Sequence, residues 1–404
     1  MTIRTPPQES ATAAPGPSPG HRVEGIDALR GLAVVLVVLH HINLRFWIDG
    51  YDVAALLPRA VDKALFWSGY YSVIMFFVIS GFLITTLSMR RWTSLERMPL
   101  SGFYRLRGAR ILPCLLALLM VLSVLHWAGL SDFTIEPERA SIGRALLAAL
   151  TFHVNWLEGH RGYLPGNWDV LWSLSVEETF YLLFPLVCLV LRSPRWILAC
   201  MVALIVVGPF NRVALEGRDP WQDYAYFSCM DGIAFGCITA LITARVRMGL
   251  AVSRVALALG VLIAVWIVVF RKQVSDLGLM HAGLNVTALE LGVALMLIGL
   301  ARGVGNAALS GNVAWLRLAG RCSYEIYLTH MFVVFGLMHA FGGVFGPQPT
   351  GRAPYLAAYV TMLVLSILVG YVVERWFSAP LNRILRDARN VQVARPPETV
   401  TACR

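Results

Sequence analysis

The feature that most constrains this chain is a series of ten apolar runs, each close to the ~20 residues an α-helix needs to cross a hydrocarbon core. They fall at about 27–47, 65–89, 108–130, 170–191, 196–215, 223–244, 251–270, 283–301, 322–342 and 353–376. An eleventh run, 140–157, is shorter and more interrupted. Lipid offers no partner to backbone N–H and C=O groups, and a helix satisfies them within its own segment. The expected fold class is therefore all-α: a polytopic transmembrane bundle of about ten spanning helices, in contact with a lipid bilayer. Composition agrees, with 57% hydrophobic and 14% charged residues, against ~25% charged in soluble domains.

The formal net charge is +10, but the basic residues form no single tract, and no nucleic-acid partner is expected. They cluster between apolar runs, as cytoplasmic loops do. Arg90, Arg91, Arg97, Arg105, Arg107 and Arg110 follow the second run. Arg192 and Arg195, then Arg245, Arg247 and Arg254, then Arg302, Arg317 and Arg321 mark three more loops. All four groups share one side only if 140–157 does not cross. Residues 131–169 are thus placed outside, with 140–157 as a re-entrant or interfacial helix. Both termini are expected in the cytoplasm, and the chain in a cytoplasmic (inner) membrane. Residues 1–22 are rich in Pro, Ala, Ser and Gly and read as a disordered cytoplasmic tail, not a signal peptide. Residues 386–404 read as a second tail, leaving 23–385 as the transmembrane domain. With no soluble catalytic domain expected at either end, any chemistry belongs within the bundle. Seven cysteines show no CxxC or Cys/His spacing, so neither a disulfide framework nor a metal site is expected.

Ionisable residues inside spans are costly and point to function. The first run carries Arg30 and, eleven residues on, His41. At ~100° per residue they share one face, separated by ~16 Å along the axis, whereas His40 lies ~80° away. The fourth run opens Trp172-Ser173-Leu174-Ser175-Val176-Glu177-Glu178. Ser173, Glu177 and Tyr181 form a polar stripe at i, i+4 and i+8. Glu177 is expected at the depth of His41, where a carboxylate orients an imidazole or shares its proton. Two adjacent glutamates cannot face the same way, so one of Glu177 and Glu178 is expected to act. Ser80-Gly81 puts a small pair inside the second run, as close helix packing requires. Ser323, Tyr324, Tyr327 and His330 put polar groups in the inner half of the ninth.

Five stretches, IDALRGLAVVLVVLHH, FFVISGFLI, FYRLRGARILP, WSLSVEETFYLLFP and CSYEIYLTHMFVV, resemble, in this order, the acyltransferase-3 family of integral membrane acyltransferases. The resemblance covers roughly 22–385. The family's Arg-x10-His motif falls on Arg30 and His41, and its RxxR motif on Arg107 and Arg110. Its SY-x-x-YL-x-H pattern falls on Ser323, Tyr324, Tyr327, Leu328 and His330. Thr179 stands where Gln is more usual and Thr329 where an aromatic is common. The resemblance implies a cytoplasmic acyl-CoA donor, most simply acetyl-CoA, and a hydroxyl of a glycan or glycoconjugate as acceptor. No permanently bound cofactor is implied. His41 would be general base or transient acyl acceptor, with Glu177 or Glu178 as its carboxylate. Arg30, Arg107, Arg110, Ser80, Tyr327 and His330 would hold the donor. Some relatives carry an extracytoplasmic hydrolase-like domain. Without one, the chain would act alone or hand the acyl group to a separate extracytoplasmic transferase. Two other readings stay open: a transporter or exporter of a glycan or small molecule, and an acyltransferase acting on a small hydrophobic acceptor such as an antibiotic sugar.

Overall fold

A computed structural model describes residues 23–51, 57–305, 313–345 and 351–387. Residues 1–22 and 388–404, where the two tails are expected, lie outside them. Among the described residues, ten helices are long and apolar enough to cross a membrane. Labelled α1–α10, they are Glu24–Ile48, Gly69–Trp92, Leu100–Trp127, Leu171–Leu191, Pro194–Ala214, Tyr226–Arg245, Leu250–Val269, Leu284–Ala301, Ser323–Phe345 and Ala353–Val373. No strand occurs among the described residues. The chain is an all-α bundle, as its apolar runs indicate.

The run 140–157 becomes two short helices, Ile142–Leu150 and Val154–Arg161. Each rises only ~12–14 Å, less than half a hydrocarbon core. They are separated at Phe152, whose φ is 56°. Its carbonyl accepts from Tyr226 (2.8 Å) and Thr179 (3.3 Å), so two hydroxyls hold this unusual backbone in place. The next turn ties this region to the bundle. Asn167 Nδ2 donates to the Leu328 carbonyl (2.8 Å) and Trp168 Nε1 to that of Phe133 (3.3 Å).

Helix ends depart from the apolar runs where polar residues are good helix formers. The helix α3 begins at Leu100, eight residues before its run, because arginine favours a helix even outside lipid. Arg107 therefore sits on the same helix as Arg110, one turn before it. Three short polar helices, Arg59–Phe66, Ala314–Arg321 and Ala379–Asp387, leave no trace in hydropathy. The last of these takes in Arg386 and Asp387, the first residues of the expected C-terminal tail.

The helix α2 runs through the middle, against α1, α6 and α8. A Cβ at Gly81 would run into the Ile233 carbonyl of α6, and one at Gly236 into the Val78 carbonyl of α2. The small residue lets the two backbones touch and turns neighbouring Ser80 toward the interior. A buried polar cluster pins α5, α6 and α8. Arg212 pairs with Asp231 at 2.8 Å and donates to Ser228 O, Gly283 O and Thr287 Oγ1. Glu290 lies beside Asp231.

Candidate active site

A cavity of about 480 Å³ lies among α1, α2, α3, α4 and α9. Arg30, Arg90, Arg107 and Arg110 line it, at the ends of their helices nearest the arginine-rich loops. Arg90, which in the sequence serves only as a mark of topology, thus joins the family's arginines. Phe76, Phe77, Phe82 and Leu83 of α2 form an apolar wall, and Ser173, Glu177, Glu178 and Tyr181 of α4 form a polar one. Such a space, cationic at one end and apolar along its length, suits a long ligand with an anionic head.

The motif residues meet across helices. Arg30 Nη2 donates to Ser323 Oγ at 2.7 Å, joining the first and last motifs. The Arg107 guanidinium lies over the Tyr181 ring, 4.3 Å from its centroid. Ser80 Oγ, Glu177 Oε1 and Tyr181 OH form one tight hydrogen-bonded cluster. Tyr327 OH meets Ser173 Oγ at 2.7 Å and donates to the Val170 carbonyl at 3.0 Å. The whole stripe of Ser173, Glu177 and Tyr181 therefore faces the cavity. So does Glu178, because the cavity wraps more than a quarter turn of α4, and residues ~100° apart can both border it.

Two placements correct the sequence reading. Glu177 spends its hydrogen bonds on Ser80 and Tyr181, and no hydrogen bond joins it to His41. Equal depth on two helices does not make their faces meet. His330 lies not among the arginines but against His41, with Nε2 3.2 Å from His41 Nδ1 and ring centroids 4.9 Å apart. His41 Nδ1 is also 2.9 Å from the Val37 carbonyl. His40 turns away: its Nδ1 meets the Phe66 carbonyl at 3.0 Å, and its ring fills the space above Gly69. Arg30 and His41 both contact α9, as their shared face requires. The cavity reaches Tyr327 and Leu328 and stops short of both histidines.

A family model described as an acyltransferase domain, Acyl_transf_3, matches residues 23–375. The chain is 30% identical over 237 residues to O-acetyltransferase OatA of Staphylococcus aureus (strain COL), covering 54% of this chain and 34% of that protein. It is 27% identical over 336 residues to peptidoglycan O-acetyltransferase OatA of Listeria monocytogenes, covering 77% of this chain and 49% of that protein. The chain thus spans between a third and a half of the length of these relatives. No solved structure matches it.

Proposed function

Because the chain belongs to the acyltransferase-3 family, we propose that it is a membrane O-acyltransferase moving an acetyl group from acetyl-CoA to a hydroxyl of an envelope glycan. The names of the two relatives support acetyl transfer, and one of them names peptidoglycan. One observation carries the choice of donor: the cavity has four arginines along its lining and runs beside the helix that bears His41. Arg30, Arg90, Arg107 and Arg110 neutralise the phosphates of coenzyme A, and the apolar wall takes the pantetheine arm. The arm's reach is on the order of the ~16 Å rise between Arg30 and His41. The cavity lining reaches Tyr327 and Leu328 but not His41, so delivery to His41 requires this end, where Tyr327 bonds to Ser173, to open.

At His41 the chemistry is a proton transfer coupled to acyl transfer. The imidazole takes the acceptor's hydroxyl proton as its oxygen attacks the thioester carbonyl. The C–O bond forms, the C–S bond breaks, and the proton passes to the leaving thiolate. The alternative course, through a transient acyl group on His41, uses the same residue. The arginine-rich end faces the cytoplasm of an inner membrane, with both termini inside. A separate extracytoplasmic transferase could receive the acyl group.

The test uses membranes carrying the full chain and labelled acetyl-CoA. His41→Asn fills the same space but cannot accept the proton, and should lower transfer ~10²–10⁴-fold. Arg110→Ala should weaken donor binding ~10–100-fold, the worth of one charge-assisted bond. A folded His41→Asn protein with full activity would overturn the mechanism. Movement of an unmodified glycan without loss of acetyl-CoA would replace the enzyme with an exporter.

A further inference from the structure

Partners on two helices decide which nitrogen of each histidine carries the proton. His330 Nδ1 lies 2.8 Å from the Tyr327 carbonyl and 3.2 Å from the Ile326 carbonyl. Both are acceptors only, so Nδ1 holds the hydrogen and Nε2 holds a lone pair. That lone pair faces His41 Nδ1, which also faces the Val37 carbonyl. With two acceptors before it, His41 Nδ1 must be the protonated nitrogen. His41 Nε2 is left as the basic one, the tautomer a general base needs.

We infer that His330 is the positioning residue for His41, holding its imidazole and stabilising the imidazolium that forms during transfer. This rests on the function proposed above and assigns within it the place usually taken by a carboxylate. When His41 Nε2 takes the acceptor's proton, Nδ1–H becomes a charge-assisted donor to His330 Nε2. Two backbone carbonyls behind His330 hold its own Nδ1–H and let positive charge spread onto a second ring. No net proton stays on His330: as the thiolate leaves, the proton on His41 Nε2 goes to sulfur.

The ionisable groups facing His41 are His330 from α9 and His40 from α1 itself, and Arg271 acts on His40. Replacing His330 alone leaves His40 and Arg271 in place. His330→Gln keeps an acceptor oxygen for His41 Nδ1–H, and His330→Leu removes it at similar volume. In His330→Leu, kcat for acetyl transfer should fall ~10²-fold with acetyl-CoA affinity unchanged. The acid limb of kcat/KM should move to lower pH by ~1 unit, because the imidazolium has lost a charge-assisted bond. His330→Gln should restore most of the rate and return the limb toward its original place. A purely packing role predicts no movement of the limb and no rescue by Gln, and either result overturns the inference. Side-chain 15N titration of His41, its signal identified by loss in His41→Asn, should show the same shift without turnover. If wild type does not consume acetyl-CoA, the proposed function fails, and the titration still decides whether His330 supports His41.

Discussion

At the scale of single residues, Glu158 shows how burial sets a proton. It lies in the segment before α4, fully buried. Its Oε1 accepts from Leu164 N at 3.0 Å, and its carboxyl lies beside that of Asp169. Burial first, and the neighbouring Asp169 second, push its carboxyl well above the ordinary range. In the unfolded chain it ionises near ~4.3. Above that pH the folded state holds a proton that the unfolded state has lost, so stability falls as pH rises toward the folded pKa. Glu158→Gln keeps an acceptor for Leu164 N and supplies a permanent donor toward Asp169. Thermal melts in detergent at pH 5 and pH 8 should show a smaller loss in the variant than in wild type. Equal losses would mean that Glu158 is not the group responsible.

At the scale of helices, the crossing of α2 and α6 governs the site. A Cβ at Gly236 would overlap the Val78 carbonyl and one at Gly81 the Ile233 carbonyl. Backbone cannot rotate aside as a side chain can, so the helices must separate. Gly236→Ala should therefore destabilise by ~1–3 kcal/mol, the cost of overpacking, read as a lower melting temperature of the purified protein. Activity should fall as well, since separating α2 from α6 moves Ser80 away from Glu177 and Tyr181. An unchanged melting temperature would show that this contact tolerates a methyl group. Helix periodicity explains what was legible at this scale. It put Arg30 and His41 on one face, turned His40 away, and drew the stripe of Ser173, Glu177 and Tyr181. It could not show which helix each face meets. The partner of His41 is therefore His330, 289 positions away in sequence, and Glu177 bonds to Ser80. Short helices such as Ala314–Arg321 stayed hidden because they are too polar to mark a span.

At the scale of the molecule, hydropathy was informative because lipid admits so few solutions. Ten apolar runs correspond to ten long helices among the described residues. Which side each end faces rests on the arginine distribution, and it can be checked directly. In a cysteine-free background, Tyr163→Cys, at a half-exposed position before α4, should react with an impermeant thiol reagent from outside intact cells. Arg97→Cys should react only after the inner face is opened. Labelling of Tyr163→Cys from the cytoplasmic side alone would mean either that the 140–157 segment crosses or that the arginine cluster at 90–110 has been assigned to the wrong face, and Arg97→Cys tells the two apart.

The pairing of Arg212 with Asp231 bears on how the chain enters the membrane during synthesis. Asp231 alone in the hydrocarbon would oppose insertion of α6 by up to ~2.5–3.5 kcal/mol. The helix immediately before it carries the neutralising cation, joined through residues 215–225. The two helices can leave the translocon as a hairpin with its charges already cancelled. Glu290 arrives two helices later and closes the cluster from the third side. Order of emergence from the ribosome and order of assembly then coincide, and α5, which buries little of its surface overall, is joined to α6 by Arg212, by Asn211 and by the close approach of Gly208 to Asp231.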